Sequence, residues 1–181
     1  MSDSRLTPDV GDRDHIDGPS DALATLVEFG DYECPYCGMA YPIVKELRKR
    51  FTNQIRFVFR HFPLSEAHPH AEHAAESAEA VAELAGNASF WAMHDVLYEN
   101  QNALDDTSLA EYAGQVGADA DAVARALASG TYRPRVRSDF KSGVRSGVNG
   151  TPTFFINGAR FDGDWQDVEE FALALEGALV G

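Results

Sequence analysis

Cys34 and Cys37 are the only cysteines in the chain, and just Pro35 and Tyr36 stand between them. Two thiols at that spacing on the first turn of a helix can meet, so they can hold or exchange a disulfide, and no other disulfide is available to the chain. A helix start offers unpaired N–H groups and partial positive charge, which favour a thiolate. Cys34, at that start, is expected to be the nucleophile with a lowered pKa. Pro35 suits the first turn, where its missing N–H costs nothing. Cys37, one turn on, is expected to point inward as the less exposed sulfur. A substrate thiolate attacking Cys34 of the disulfide gives a mixed disulfide that a second substrate thiol resolves, and reduction runs the same steps backwards. A zinc site is the competing reading of such a pair, but it usually takes four ligands, and there is no second cysteine pair.

The flanking elements must place these thiols. Ala24 to Phe29 reads as a buried strand ended by Gly30 and Asp31. Ala40, Ile43, Val44 and Leu47 recur at helical spacing, with Lys45, Arg48, Lys49 and Arg50 on the wet side. Ile55 to Phe62 reads as a second strand, which gives a parallel βαβ unit. Glu28 lies inside the first strand. An acid there is costly to bury and has a raised pKa, unless the strand twists and lets it reach solvent.

From Pro63 to about Gly147 the periodicities are helical. Ala71, Ala74, Ala75, Ala78, Ala82 and Ala85 form one stripe, and Phe90, Met93 and Leu97 another. Ser108 with Glu111 reads as a capping box. Val123 with Leu127, and Val136 with Phe140 and Val144, mark two more helices. Thr153–Ile156 then reads as a strand turning at Asn157-Gly158 into Ala159–Phe161, and Val168, Phe171, Ala172, Leu175 and Ala178 mark a last helix. The reading divides the chain into a loose lead-in (1–20) with a short strand near His15 and Ile16, a βαβ part (21–62), an inserted all-helical subdomain (63–147) and a ββα part (148–181).

Two segments, Phe29-Gly-Asp-Tyr-Glu-Cys-Pro-Tyr-Cys37 and Gly150-Thr-Pro-Thr-Phe-Phe-Ile-Asn-Gly158, flank the helical insertion. Together they resemble the DsbA-like branch of the thioredoxin superfamily, from about Asp14 to the C-terminus. The resemblance implies a thioredoxin-like α/β fold with the helical subdomain inserted, and protein thiol-disulfide exchange without a cofactor. It implies a cis Thr151–Pro152 bond facing the cysteines, with Thr151, Pro152, Pro35 and Tyr36 meeting substrates held as extended chains. It also implies that Glu28 is a buried proton relay for Cys37. An unidentified redox partner would reset the pair. Strongly oxidising members of the branch carry histidine where Tyr36 stands, so a weaker oxidant is expected. Glutaredoxins share Cys-Pro-Tyr-Cys but carry a downstream glycine pair, where this chain has Phe161-Asp-Gly-Asp164. A peptide-binding module with a redox-switchable cysteine pair is the alternative function.

The net charge is −14, which argues against nucleic acid or an anionic membrane as partner. No stretch is long and apolar enough for a membrane span. Met1 to Pro19 lacks a basic start and an apolar run, which reads as cytoplasmic; a leader or anchor missing from the sequence would make the protein extracytoplasmic. His68, His70 and His73 read as a solvated helix start rather than a metal site. Arg133, Arg135 and Arg137 read as a solvated charge run. Phe90, Trp91 and Met93 read as core.

Overall fold

The computed structural model describes residues 4–181. In chain order the first elements are β1 (His15–Asp17), β2 (Ala24–Gly30), α1 (Pro35–Arg50) and β3 (Ile55–His61). Five helices follow: α2 (Ala71–Ala85), α3 (Asn87–Glu99), α4 (Asp106–Gln115), α5 (Ala120–Ser129) and α6 (Arg133–Arg145). The chain ends with β4 (Thr153–Ile156), β5 (Ala159–Arg160) and α7 (Val168–Leu179). The sheet order is β1-β3-β2-β4-β5, and β2 and β3 are the parallel pair at its centre. Parallel neighbours need a crossover, which α1 supplies. β1 adds antiparallel to β3, and β4 antiparallel to β2. The fold is thioredoxin-like, with the helices α2 to α6 placed between β3 and β4 in sequence.

Alternation along β2 sends its side chains into two cores. Leu26 joins Phe57, Phe59 and Phe154 beneath Cys37, Ala40 and Leu47 of α1, Met93 and Leu97 of α3, and Phe171 and Leu175 of α7. Val27 and Phe29 join Val58, Phe62 and Phe155 on the other face, where Phe140 of α6 packs. Glu28 has the parity of Leu26, so it points toward α1 and the cysteines. The strand buries it at 2% exposure, which excludes an edge exit to solvent.

Several local expectations are corrected. α4 begins at Asp106, and its cap is Asp105, whose carboxylate accepts from the Ser108 N–H; Ser108 therefore lies inside the first turn and does not cap. The apolar stripe assigned to α6 is rotated. Val136 is buried, but Val144 is 56% exposed and Gly143 takes the inward position against Phe62 and Phe29. Arg48 is not on a wet face: its guanidinium lies over Phe57 and Trp91 and pairs with Asp17. The lead-in is not loose. Leu6 is buried and its N–H donates to the Gly158 carbonyl, while Arg60 pairs with Asp14 at 2.8 Å. Met1, Ser2 and Asp3 lie outside the described residues.

The expected run of solvated arginines holds only for Arg137, which is exposed; Arg133 and Arg135 are engaged by acids. Arg135 pairs with Asp139 and approaches Glu79, and Arg133 pairs with Glu72 and the buried Glu76. Glu79 accepts from both His15 and His61, at 2.8 and 2.7 Å. Burial works to raise the Glu79 pKa, but those bonds and the histidine charges hold it well below the usual carboxylate range. Phe90, Trp91 and Met93 are core, as their spacing predicts.

A Cβ at Gly143 would sit 2.6 Å from the Phe62 ring and 3.1 Å from Phe29, whereas one at Gly177 of α7 meets nothing within 4 Å. Gly143→Ala is expected to lower stability by about 1–3 kcal/mol through overpacking. Gly177→Ala is expected to raise it by about 0.5–1 kcal/mol through helix propensity. Thermal melts of the two variants check both signs.

Candidate active site

The site forms where β2 runs out. Asp31 follows the strand directly, and its carboxylate folds back on the chain: Oδ1 accepts from the N–H groups of Glu33, at 2.8 Å, and Cys34, at 3.1 Å. This Asx-type turn aims the next residues into α1. Cys34 becomes the N-cap, in extended conformation, and Pro35 opens the helix. Gln101, beyond the end of α3, closes the turn from the other side by donating to the carbonyls of Tyr32 and Cys34, each at 2.9 Å. The helical segment thus helps to fix the start of α1.

Both thiols are free, and they are unlike. Cys34 is 3% exposed and Cys37 is wholly buried. The hydrogen bond from Cys37, with help from Thr151 and the backbone N–H groups of Cys37 and Tyr36, outweighs burial and lowers the Cys34 pKa to about 5. Burial first, then the hydrogen bond to Cys34 and the charge of Glu28, pushes Cys37 well above its ordinary value. Glu28 is raised to about 8, by burial and then by the charge on Cys34, and its Oε1 has no hydrogen-bond partner.

The loop before β4 completes the site. The Thr151–Pro152 peptide bond is cis, and the Thr151 carbonyl stands 3.6 Å from the Cys34 sulfur. Pro35 and Tyr36 lie on the outer side of the turn, with Tyr36 58% exposed and Met39 beside it 51% exposed. Cys34, Cys37, Glu28 and Thr151 are therefore brought together, with Pro152 following Thr151 and with Pro35 and Tyr36 at the rim.

Two site residues escape the sequence reading. Asp31 reads in the sequence only as the end of a strand, although an aspartate three residues before a helical cysteine is a turn signal. His68 was read with His70 and His73, yet the three part company. His68 Nδ1 meets Asp31 Oδ2 at 2.7 Å, His73 meets Asp106 at 2.6 Å, and the His70 N–H donates to Glu33 at 2.7 Å. Burial opposes charge on His68, but the bond and charge of Asp31, followed by the charge of Cys34, raise its pKa. Among the described residues, the metal-capable side chains that converge are instead His61, Glu79 and Asp139. There Arg135 already supplies positive charge to both acids.

The family model described as thioredoxin matches residues 11–176. BdbD from Bacillus subtilis, in its oxidised form, superposes with a TM-score of 0.86 at 25% identity, covering 93% of this chain and 94% of that one. Alpha-DsbA1 from Wolbachia pipientis gives a TM-score of 0.80 at 16% identity, over 94% and 93% of the two chains, which speaks for the fold alone. Among curated sequences, the Na(+)/H(+) antiporter NhaA 1 of Salinispora arenicola is 43% identical over 176 residues, which is 97% of this chain but 26% of that protein. The chain thus spans about a quarter of the length of the curated relatives it matches. No helix among the described residues is long and apolar enough to cross a membrane. The chain belongs to the thioredoxin family, and its fold is that of the DsbA-like thiol-disulfide oxidoreductases.

Proposed function

We propose that the chain exchanges disulfides with protein thiols through Cys34 and Cys37. The observation that carries this is the inequality of the two sulfurs: a low-pKa thiol at a helix start, and a buried high-pKa thiol one turn behind it. A low-pKa thiol is both the better attacking thiolate at neutral pH and the better leaving group. In the oxidising direction a substrate thiolate bonds to the Cys34 sulfur as the Cys34–Cys37 bond breaks. Cys37 leaves and takes a proton. A second substrate thiolate then attacks the substrate sulfur of the mixed disulfide and releases Cys34 as a thiolate. A redox partner of the same chemistry resets the pair.

Glu28 is the proton source for Cys37 in this scheme. Its carboxyl is raised to about 8, so it is protonated at neutral pH, and it lies on the strand face toward α1. The extended substrate lies along Thr151 and Pro152, pairing by backbone as an added strand, with Pro35 and Tyr36 bordering it. Strand pairing gives affinity with little demand on sequence, which suits an enzyme acting on many proteins.

Four outcomes are expected. Iodoacetamide at pH 6 labels Cys34 and spares Cys37, as read by peptide mass spectrometry. Cys34→Ser abolishes turnover of a dithiol peptide, and wild type titrates reversibly in glutathione buffers. An irreversible or absent titration removes this reading, while a Cys34→Ser variant that still binds extended peptide but has no activity to lose would indicate the holder function. Glu28→Gln slows the step that protonates or deprotonates Cys37 and flattens its pH dependence between pH 5 and 9; equal rates across that range would exclude the relay.

The same group has a stability signature. A carboxyl whose folded pKa exceeds its unfolded value binds more protons when folded, so stability falls as pH rises from about 4.5 to about 8. Relative to Glu28→Gln, wild type should lose about 1.4 kcal/mol per pH unit over that window and then level off, as followed by urea melts.

A further inference from the structure

The sequence of the active-site turn contains no cation: Pro35 and Tyr36 fill the space between the cysteines. The fold brings one from elsewhere. The segment between β3 and α2 is pinned against the turn, with the Leu64 N–H donating to Asp31 Oδ2 at 2.9 Å and the His70 N–H donating to Glu33 Oε2 at 2.7 Å. Within that segment the N–H groups of Ala67 and His68 both donate to the Leu64 carbonyl, at 2.9 Å each. His68 therefore sits on a small closed loop, and its Nδ1 is held 2.7 Å from Asp31 Oδ2. The other oxygen of the same carboxylate takes the Cys34 N–H. One buried carboxylate thus clamps the nucleophile's backbone on one side and an imidazole on the other. The His68 side chain keeps 18% of its surface open, so the ring can exchange protons with solvent.

We propose that His68, fixed by Asp31 beside Cys34, is a positioning residue that supplies the positive charge favouring the Cys34 thiolate and so sets the redox poise of the pair. This rests on the dithiol reading above and adds to it. The charged and titratable groups around the two are Asp31 and Glu33 from the turn, Glu28 from β2 and Cys37 from α1. The carboxylates among them oppose a thiolate. His68 in its cationic form pairs with Asp31, and its charge attracts that of the Cys34 thiolate. Oxidising a substrate dithiol moves two electrons and two protons off the substrate. The electrons break the Cys34–Cys37 bond. One proton ends on Cys37, the other goes to His68 if its ring is neutral and to solvent if it is not, and Cys34 remains a thiolate. A cation that favours this reduced form makes the protein a stronger oxidant. The role given by the family resemblance to a histidine between the cysteines is thus filled from a segment outside the motif.

The test is a thiolate titration of the reduced protein by absorbance near 240 nm, on wild type, His68→Gln, His68→Lys and His70→Gln. Glutamine retains a donor toward Asp31 but carries no charge. His68→Gln is expected to raise the Cys34 midpoint by about one pH unit. Alkylation of Cys34 at pH 5 should slow about fivefold, and the glutathione equilibrium should shift toward the disulfide form. His68→Lys is expected to restore most of the lost thiolate, and His70→Gln to change nothing. A folded His68→Gln with the wild-type midpoint overturns the proposal. Should that variant not fold, the wild-type protein gives an independent measurement. Coupling is reciprocal, so His68 should titrate at higher pH in the reduced protein than in the disulfide form when followed by NMR. Equal titration in both redox states overturns the proposal. If the cysteine pair cycles reversibly while His68 is indifferent, this inference alone falls; if the pair does not cycle, the dithiol reading falls with it.

Discussion

The Asp31 side chain has no exposed surface, and its two oxygens accept from the N–H groups of Glu33, Cys34 and Leu64 and meet the ring of His68. A carboxylate withdrawn from water costs several kcal/mol unless hydrogen bonds replace its hydration. Here each replacement comes from a segment that must be in place for the site to exist: the turn after β2, the first residue before α1, and the loop leading to α2. Bonds to a charged acceptor contribute about 1.5–3 kcal/mol each, and half-satisfying such a group is worse than never burying it. The junction is therefore cooperative. It forms as a unit, and it fixes the direction in which α1 leaves the sheet.

That direction matters because the chemistry is divided between two layers. β2 supplies Glu28 from beneath, by the simple parity of a strand, and α1 holds the two sulfurs above it at different depths. The loop carrying Thr151 and Pro152 meets them from the side. Burial and hydrogen bonding together separate the thiols: apolar surroundings keep Cys37 and Glu28 protonated, while at the helix start the hydrogen bonds that Cys34 takes from Cys37 and from N–H groups of the first turn outweigh its own burial. Solvation and hydrogen bonding thus set the proton affinities of three groups apart within one small volume, which is what the proposed attacking, resolving and proton-holding roles require.

Much of this was legible in the sequence because it is local. The cysteine spacing, the helix behind it and the Asn157-Gly158 turn are all written within a few residues, and the parity of Glu28 follows from an apolar strand on either side. The Asp31–His68 contact is not local: 37 residues separate the partners, and neither carries a pattern until the loop closes. The ion network of Glu79 with His15, His61 and Arg135 was hidden for a different reason. The alanine stripe of α2 implied a polar far side, yet α2 is enclosed by α3, α4, α5 and α6, so Glu76 and Glu79 are buried as well and find cations on other elements. Hydropathy periodicity reports which face is apolar, but it cannot report a helix whose polar face is also covered. The rotated face of α6 is a related case, since glycine carries no hydropathy signal and Gly143 is the residue that allows the helix to approach Phe62.

Cys34 offers only 3% of its surface, and the Thr151 carbonyl stands over it. Sulfur attacks a disulfide along the axis of the bond it breaks, so an incoming thiol must arrive down one narrow line. A cysteine held inside a partner's helix or packed core cannot bring its backbone close enough to do this without first coming loose. Access is then governed by how cheaply the partner can present a few residues in extended form. Under the proposed exchange, the site would sort its partners by their conformational entropy rather than by their side chains: nascent, unfolded or locally frayed chains would be admitted, and the same cysteines would become invisible once folding had drawn them in.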